Sequence, residues 1–325
     1  MLVLAGDIGG TNARLALVET GAAPRIVADR IAPSQEITDF SGYIADFLHT
    51  LPARPERACL AIAGPVVDRT VTGTNLPWQV EAGALGLALG IPELELINDF
   101  EAVGYGIPLL PGSDLLVLQP GVPVPAGTIA ILGAGTGLGQ AVIVHCRGGR
   151  LVLPSEGGHA SYAPGDAREW ALRNFLAGRY GAHVSWERVV SGPGLIDLFE
   201  FVAAGRETPE QLPLRDQMKT QDPAAVIAAH ALAGTDLLAG EALQLFIRAY
   251  GAQAGNLALT VFASGGVYLA GGIARKIAAR LAQGEFMAGF LPKGRMRGLL
   301  ERIPVSVILN PDVGLLGAAS VAARP

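Results

Sequence analysis

Cys59 and Cys146 are the only two cysteines in a chain of 325 residues. Two cannot build a disulfide framework or a four-cysteine zinc site, so both are expected to be buried thiols in a reducing compartment. Charge is also scarce. Only 16% of residues are charged, and the formal net charge is -5. No basic surplus exists to attract nucleic acid or an anionic membrane surface. A mildly acidic chain can still hold a polyphosphate, because backbone N–H groups and a metal supply the local positive field. The opening MLVLAGDIGG has no positively charged region and too short an apolar run for a signal peptide. No G-x-x-x-x-G-K-[ST] sequence occurs, which excludes a P-loop.

Apolar residues make up 50% of the chain, and glycine supplies 43 positions. A length of 325 residues exceeds one ordinary core and points to two domains or lobes. The stretches Pro120 to His145 and Ala249 to Ala274 carry no charged residue and are long enough to invite a membrane span. Their dense glycines, Gly133 to Gly139 in one and Gly251 to Gly272 in the other, argue for strands and turns instead. A cytoplasmic protein is expected.

Leu2 to Ala5 and Ala13 to Val18 read as strands around a glycine turn, Gly6 to Asn12. The unit recurs as Thr128 to Leu132, the turn Gly133 to Gly139, and Gln140 to Val144, which suggests a duplicated architecture. Further strands are expected at Cys59 to Pro65 (ending in a turn), Leu94 to Ile97, Val267 to Ala270 and Val305 to Ile308. Helices are expected near Ile44 to Leu51, from Phe100, at Asp166 to Ala177, Gly194 to Ala204, Pro223 to Ala252 and Ile273 to Ala282, and from Val313. Strands alternating with helices define an α/β protein.

The turn Asp7-Ile8-Gly9-Gly10-Thr11-Asn12 combines backbone freedom at Gly9 and Gly10 with a carboxylate. Successive N–H groups in such a turn form an anion nest. Asp7 would hold Mg²⁺ through water, and Thr11 and Asn12 add neutral donors. The second turn, with Gly133, Gly135, Thr136, Gly137 and Gly139, has the same character but fails the G-x-G-x-x-G dinucleotide pattern. Two such turns facing each other would clamp a polyphosphate. Asn98-Asp99 ends a strand. Asp99 is the candidate base for a hydroxyl that accepts a phosphoryl group, with both Asn98 amide groups holding sugar hydroxyls. A plain Asx turn is the alternative there. Glu156-Gly157-Gly158-His159 offers a carboxylate and an imidazole, a better fit to sugar hydroxyls than to a metal, since a di-metal Glu-x-x-His site needs two helical copies. Glu187 taken alone reads as a solvated acid paired with Arg188 or Arg179. Ser191 to Gly194 and Ala270-Gly271-Gly272-Ile273 are strand-to-helix turns, either of which could lie against adenine and ribose.

Five segments in order resemble the bacterial glucokinase family: Leu4 to Arg14, Ile97 to Ala102, Gly133 to Gly139, Pro154 to His159 and Leu269 to Ala274. The resemblance spans nearly the whole chain. It implies the two-domain hexokinase-type fold (actin-like ATPase, ribonuclease H-like), with glucose and ATP in a cleft. The implied domains are 1–109 plus 311–325, small, and 110–310, large, with the final helix packed back on the small one. It implies that Asn98, Asp99, Glu156, His159 and Glu187 contact the sugar, with Asp99 as the base. ATP and Mg²⁺ are the implied cofactors, held at Asp7, Gly9, Gly10, Thr11, Asn12, Gly133, Gly135, Thr136, Gly137, Gly271 and Gly272. A homodimer is implied. A related repressor and kinase group carries a cysteine-rich zinc motif after its Glu-Gly-Gly-His, but no cysteine follows Cys146 here, so no zinc is expected.

Three competing readings remain. A sugar-sensing regulator would need a DNA-binding extension ahead of the Asp7 hairpin. An actin-like ATPase with a protein partner leaves Asn98-Asp99 and Glu156 to His159 unexplained. The third is a kinase for another hexose, such as mannose, fructose or an N-acetyl amino sugar, since the sequence does not give the epimer preference directly.

Overall fold

β1 (Leu2–Ile8) is apolar at nearly every position because it centres a sheet covered on both faces. The computed structural model describes residues 1–21, 24–72, 78–147, 149–206 and 212–324. After β1 come β2 (Asn12–Glu19), β3 (Arg25–Pro33), β4 (Arg57–Ile62), a small sheet of β5 (Val66–Val67), β6 (Thr70–Thr72) and β7 (Gln79–Glu81), and β8 (Glu93–Asn98). The larger sheet runs β3-β2-β1-β4-β8. β2 is antiparallel to β1, whereas β4 and β8 continue in parallel.

Alternating side chains part to the two faces. Leu4, Ile8, Leu15 and Leu60 pack with Ile44 and Phe47 of the helix Phe40–His49 and with Leu85 and Leu89 of the helix Ala82–Leu89. Val3, Ala5, Ala16, Cys59 and Ala61 pack on the other side with Leu315, Ala318 and Ala319 of the helix Val313–Ala322.

The second sheet is built from β9 (Leu115–Gln119), β10 (Ile129–Ala134), β11 (Leu138–Cys146), β12 (Gly149–Ser155), β13 (Gly266–Ala270) and β14 (Val305–Ile308), in the order β12-β11-β10-β13-β14-β9. Its run β11-β10-β13-β14 repeats β2-β1-β4-β8: an antiparallel hairpin, then two parallel strands. The duplication read from the two glycine turns is therefore a repeated topology. Phe246 and Tyr250 of the long helix Leu237–Thr260 build its core with Phe286 and Phe290. The chain divides into two compact units: Met1–Leu115 with Val152–Pro154 and Asn310–Pro325, and Leu116–Leu151 with Ser155–Leu309.

Several expected boundaries move. The glycine turns shrink to residues 9–11 and 135–137, because backbone pairing carries β1 through Asp7 to Ile8 and β10 through Gly133 to Ala134. The helix expected over Pro223 to Ala252 is two, Pro223–Ala233 and Leu237–Thr260, meeting at 102°. Gly234, at φ 67, ends the first, and the Asp236 side chain caps the second through the Ala239 amide. The helix after Gly272 is likewise two short pieces, Gly271–Lys276 and Ala278–Leu281. Cys59 is buried, but Cys146 is exposed. Among the described residues no single helix is long and apolar enough to cross a membrane.

The helices Asp99–Gly106 and Val313–Ala322 cross backbone to backbone. A Cβ on Gly317 would overlap the Ala102 carbonyl, and one on Gly106 would overlap that of Val313. Alanine improves helix propensity over glycine by about 1 kcal/mol. A clash with fixed backbone costs about 1–3 kcal/mol. Gly317→Ala is therefore expected to lower the urea midpoint, and an unchanged or raised midpoint would show that the crossing is not tight.

Candidate active site

The first unit presents its polar residues at the carboxyl ends of parallel strands, where open α/β sheets take ligands. Register places Ile8, Ile62 and Asn98 side by side at those ends of β1, β4 and β8. The tip beyond Ile8 is closed by a bond from the Gly9 amide to the Asn12 carbonyl at 2.9 Å. Buried Ser34 braces it: the hydroxyl donates to Gly9 O at 2.6 Å and the amide to Thr11 O at 2.9 Å. Thr11 and Asn12 are exposed at this tip.

Asn98 is 8% exposed and caps the helix Asp99–Gly106. Its Oδ1 accepts from the Phe100 and Glu101 amides at 2.9 and 3.3 Å, and its Nδ2 donates to Gly64 O at 3.0 Å. The Asx-turn alternative is thus present, and the Asn98 amide is largely committed to its own unit rather than offering both groups to a ligand. Asp99 begins the helix, half-buried, with Oδ1 accepting from the Phe100 amide at 3.0 Å.

Asp7 lies in β1, opposite Arg14 of β2. It faces the same side as Val3 and Ala5, where Gly314 leaves it room: a Cβ there would lie 3.3 Å from Oδ2. Arg14 spends its hydrogen bonds elsewhere, on Asp29 at 3.0 Å and Asp312 at 2.5 Å. Burial raises the Asp7 pKa above its ordinary value; Arg14 opposes the shift and Asp312 adds to it.

The second unit assembles a carboxylate–imidazole–carboxylate set. A bridge between Ser161 and Ser185 aligns two turns, Gly157–His159 and Trp186–Arg188, and Tyr162 packs edge-on against Trp186. His159 Nε2 lies 3.8 Å from Glu156 Oε2, and Nδ1 lies 3.9 Å from Glu187 Oε1. Glu156 and His159 are exposed and Glu187 is half-buried. The arginine pairing expected for Glu187 does not form. Arg179 binds Asp197 at 2.7 Å, and Arg188 stacks on Tyr180. Glu187 Oε2 instead accepts from the Leu138 amide at 3.0 Å, at the foot of the second glycine tip.

That tip, with Gly135, exposed Thr136 and Gly137, is closed by a bond from the Gly135 amide to Gly137 O at 2.8 Å. The Gly192 amide, opening the helix Gly192–Ala203, donates to Gly135 O at 2.8 Å. Tyr250 OH steadies the approach, donating to Leu132 O at 3.1 Å and accepting from the Ala134 amide at 3.3 Å. Gly133 pairs with Ala270 across β10 and β13, so Gly271 and Gly272 follow at the same end of the sheet. Gly271 has φ 88, and a Cβ there would come within 2.7 Å of Ala134 O, so only glycine fits.

The repeated hairpin-plus-parallel topology defines the class: an α/β protein of the hexokinase and actin-like ATPase type. The Glucokinase family model matches residues 4–325, and the chain belongs to that family. It is 45% identical over 339 residues to the glucokinase of Nostoc sp. (strain PCC 7120), covering 99% of each chain. A glucokinase structure from an Antarctic psychrotroph superposes with a TM-score of 0.83 at 34% identity, covering 99% of this chain and 98% of that one. The Balamuthia mandrillaris glucokinase, solved in complex with glucose, gives 0.84 at 25% identity over 99% of this chain and 94% of that one.

The sequence reading missed Asp312, Ser34 and the Leu138 amide. Arg14 opposite Asp7 was readable from hairpin register alone. Ser34 follows β3, Leu138 opens β11 and Asp312 precedes the last helix, and none of these segments shows by its own pattern what it meets across the fold.

Burial that raises an acid's folded pKa costs stability once both states are ionised, and nothing where both are protonated. Asp7→Asn is therefore expected to raise the thermal midpoint at pH 7, with the gain shrinking as pH falls toward 4. A loss of midpoint at pH 7 would mean that Asp7 is net stabilising.

Proposed function

We propose that this chain transfers the γ-phosphoryl group of ATP to the 6-hydroxyl of glucose, giving glucose 6-phosphate and ADP. The observation that carries the reading is the set of exposed Glu156 and His159 with half-buried Glu187, tied to a glycine tip through the Leu138 amide. Sugar hydroxyls need alternating donors and acceptors, and a carboxylate–imidazole–carboxylate set supplies them. The glycine tip supplies N–H groups to a polyphosphate. Family membership along nearly the full length supports the same conclusion.

In this reading Asn98, Asp99, Glu156, His159 and Glu187 hold the sugar. Gly9, Gly10, Thr11 and Asn12 of one tip and Gly133, Gly135, Thr136 and Gly137 of the other hold the phosphates. Gly271 and Gly272 lie against the nucleoside. Asp99 accepts the 6-hydroxyl proton as the phosphoryl group arrives, so the attacking oxygen carries its lone pair to phosphorus. Asn98 fixes the start of the helix that bears Asp99, so it orients the base as well as touching the ligand.

Asp7 suits Mg²⁺ held through water. Its carboxyl is desolvated, and the hydrogen bonds of Arg14 opposite it go to Asp29 and Asp312. When bound, the ion would neutralise phosphate charge. The reading also takes residues 1–109 with 311–325 and residues 110–310 as the functional domains, and includes a cytoplasmic homodimer acting in glycolysis.

Asp99→Asn is expected to lower kcat by about 10²–10⁴-fold while ATP still binds. Turnover near wild type would remove Asp99 as the base. An ADP-coupled assay across glucose, mannose, fructose and N-acetyl amino sugars, run with several phosphoryl donors, tests the whole reading. Glucose with ATP is expected to give the highest kcat/KM. Preference for another hexose would shift the substrate, and ADP formed without sugar would favour an ATPase.

A further inference from the structure

Gly137 and Gly135 share one tip, yet their surroundings differ. A Cβ on Gly135 would meet nothing within 4 Å. A Cβ on Gly137 would run into Glu187 Oε2, closer than any carbon and oxygen tolerate. Gly137 is not among the glycines with positive φ, so its backbone conformation does not demand glycine. The space beside it is taken by the Glu187 carboxylate, the far end of a flexible side chain, so a methyl there is accommodated by pushing the acid aside.

That carboxylate makes one hydrogen bond, faces the imidazole, and stands on an anchored backbone. Oε2 accepts from the Leu138 amide at 3.0 Å, and Oε1 faces His159 Nδ1 at 3.9 Å. The Glu187 backbone carbonyl accepts from Ser191 Oγ at 2.6 Å, and that hydroxyl also caps the helix Gly192–Ala203. The far side of the same peptide region is equally tight: a Cβ on Gly158 would overlap the Leu138 carbonyl. Leu138, the first residue after the tip, therefore touches Glu187 through its N–H and Gly158 of the Glu156 to His159 turn through its C=O.

We propose that Gly137, although it sits in the turn given to the nucleotide, is a positioning residue for the sugar: by lacking a side chain it lets Glu187 hold the Leu138 amide and face His159. The inference rests on the reading of Glu187 and His159 as sugar contacts. A methyl group at position 137 displaces the acid, breaks its bond to Leu138 and moves it relative to the imidazole. The defect then belongs to the sugar rather than to the nucleotide whose turn was altered.

Steady-state kinetics of the full chain separate these effects. Gly137→Ala is expected to raise the glucose KM about tenfold or more, with a smaller change in the ATP KM. An ATP KM that rises while the glucose KM holds overturns the proposal. Glu187→Gln tests the underlying reading by itself: if it leaves the glucose KM unchanged, Glu187 is not a sugar contact. The double variant Gly137→Ala/Glu187→Asp closes the cycle, because the shorter acid withdraws from the new methyl. It is expected to bind glucose no worse than Glu187→Asp alone, and effects that multiply as if independent overturn the proposal. Should Gly137→Ala alone fail to fold by circular dichroism, the double variant must still fold and bind glucose like Glu187→Asp. A double variant that stays unfolded overturns the proposal.

Discussion

The peptide around Leu138 is held from both sides, by the Glu187 carboxylate at its N–H and by Gly158 against its C=O. The geometry of the second unit's candidate site follows from that clamp. A hydrogen bond from an amide to an ionised acceptor is stronger than one between neutral groups. It sets where Glu187 points, and Glu187 in turn sets one wall around His159. The tip that precedes Leu138 inherits the same anchor, because it spans only residues 135–137 between two paired strands. A glycine turn of this kind is a fixed cradle, not a loose loop.

The first unit solves a related problem differently. Its sheet is covered on both faces, so polar groups can emerge only at strand ends or beside gaps left by small residues. Gly314 is such a gap, and Asp7 fills it. The carboxyl is desolvated there, a state that proteins tolerate where a bound cation or a reaction repays it. Asn98 shows the opposite economy. Its Oδ1 starts one helix and its Nδ2 holds Gly64 O, and the result is a fixed orientation for Asp99 at the next position.

Much of this was legible in the sequence. The two hairpins announced themselves through apolar runs flanking glycine, and their likeness foretold the repeated topology. Asn98-Asp99 at a strand end and the Glu156 to His159 turn were visible as polar residues where apolar periodicity stops. What could not be read locally was pairing across distance. β3, β9 and β12 are half-exposed or short, and their side-chain patterns are weak next to the buried strands. The break between Ala233 and Leu237 was hidden because both flanking helices are rich in alanine, although Gly234 and Asp236 are a stop and a cap in plain view. Glu187 looked like a partner for arginine, since nothing in its own segment reveals an amide 49 positions away in the chain.

The most direct test of the central contact is the amide resonance of Leu138 in a chain labelled with nitrogen-15 at leucine. Glucose is added without any nucleotide, and the His159 ring signals report its binding. The expected result is that the Leu138 amide shifts along with those ring signals, because the sugar pulls on the carboxylate that holds it. Ring signals that reach saturation while the Leu138 amide stays where it was would contradict the account.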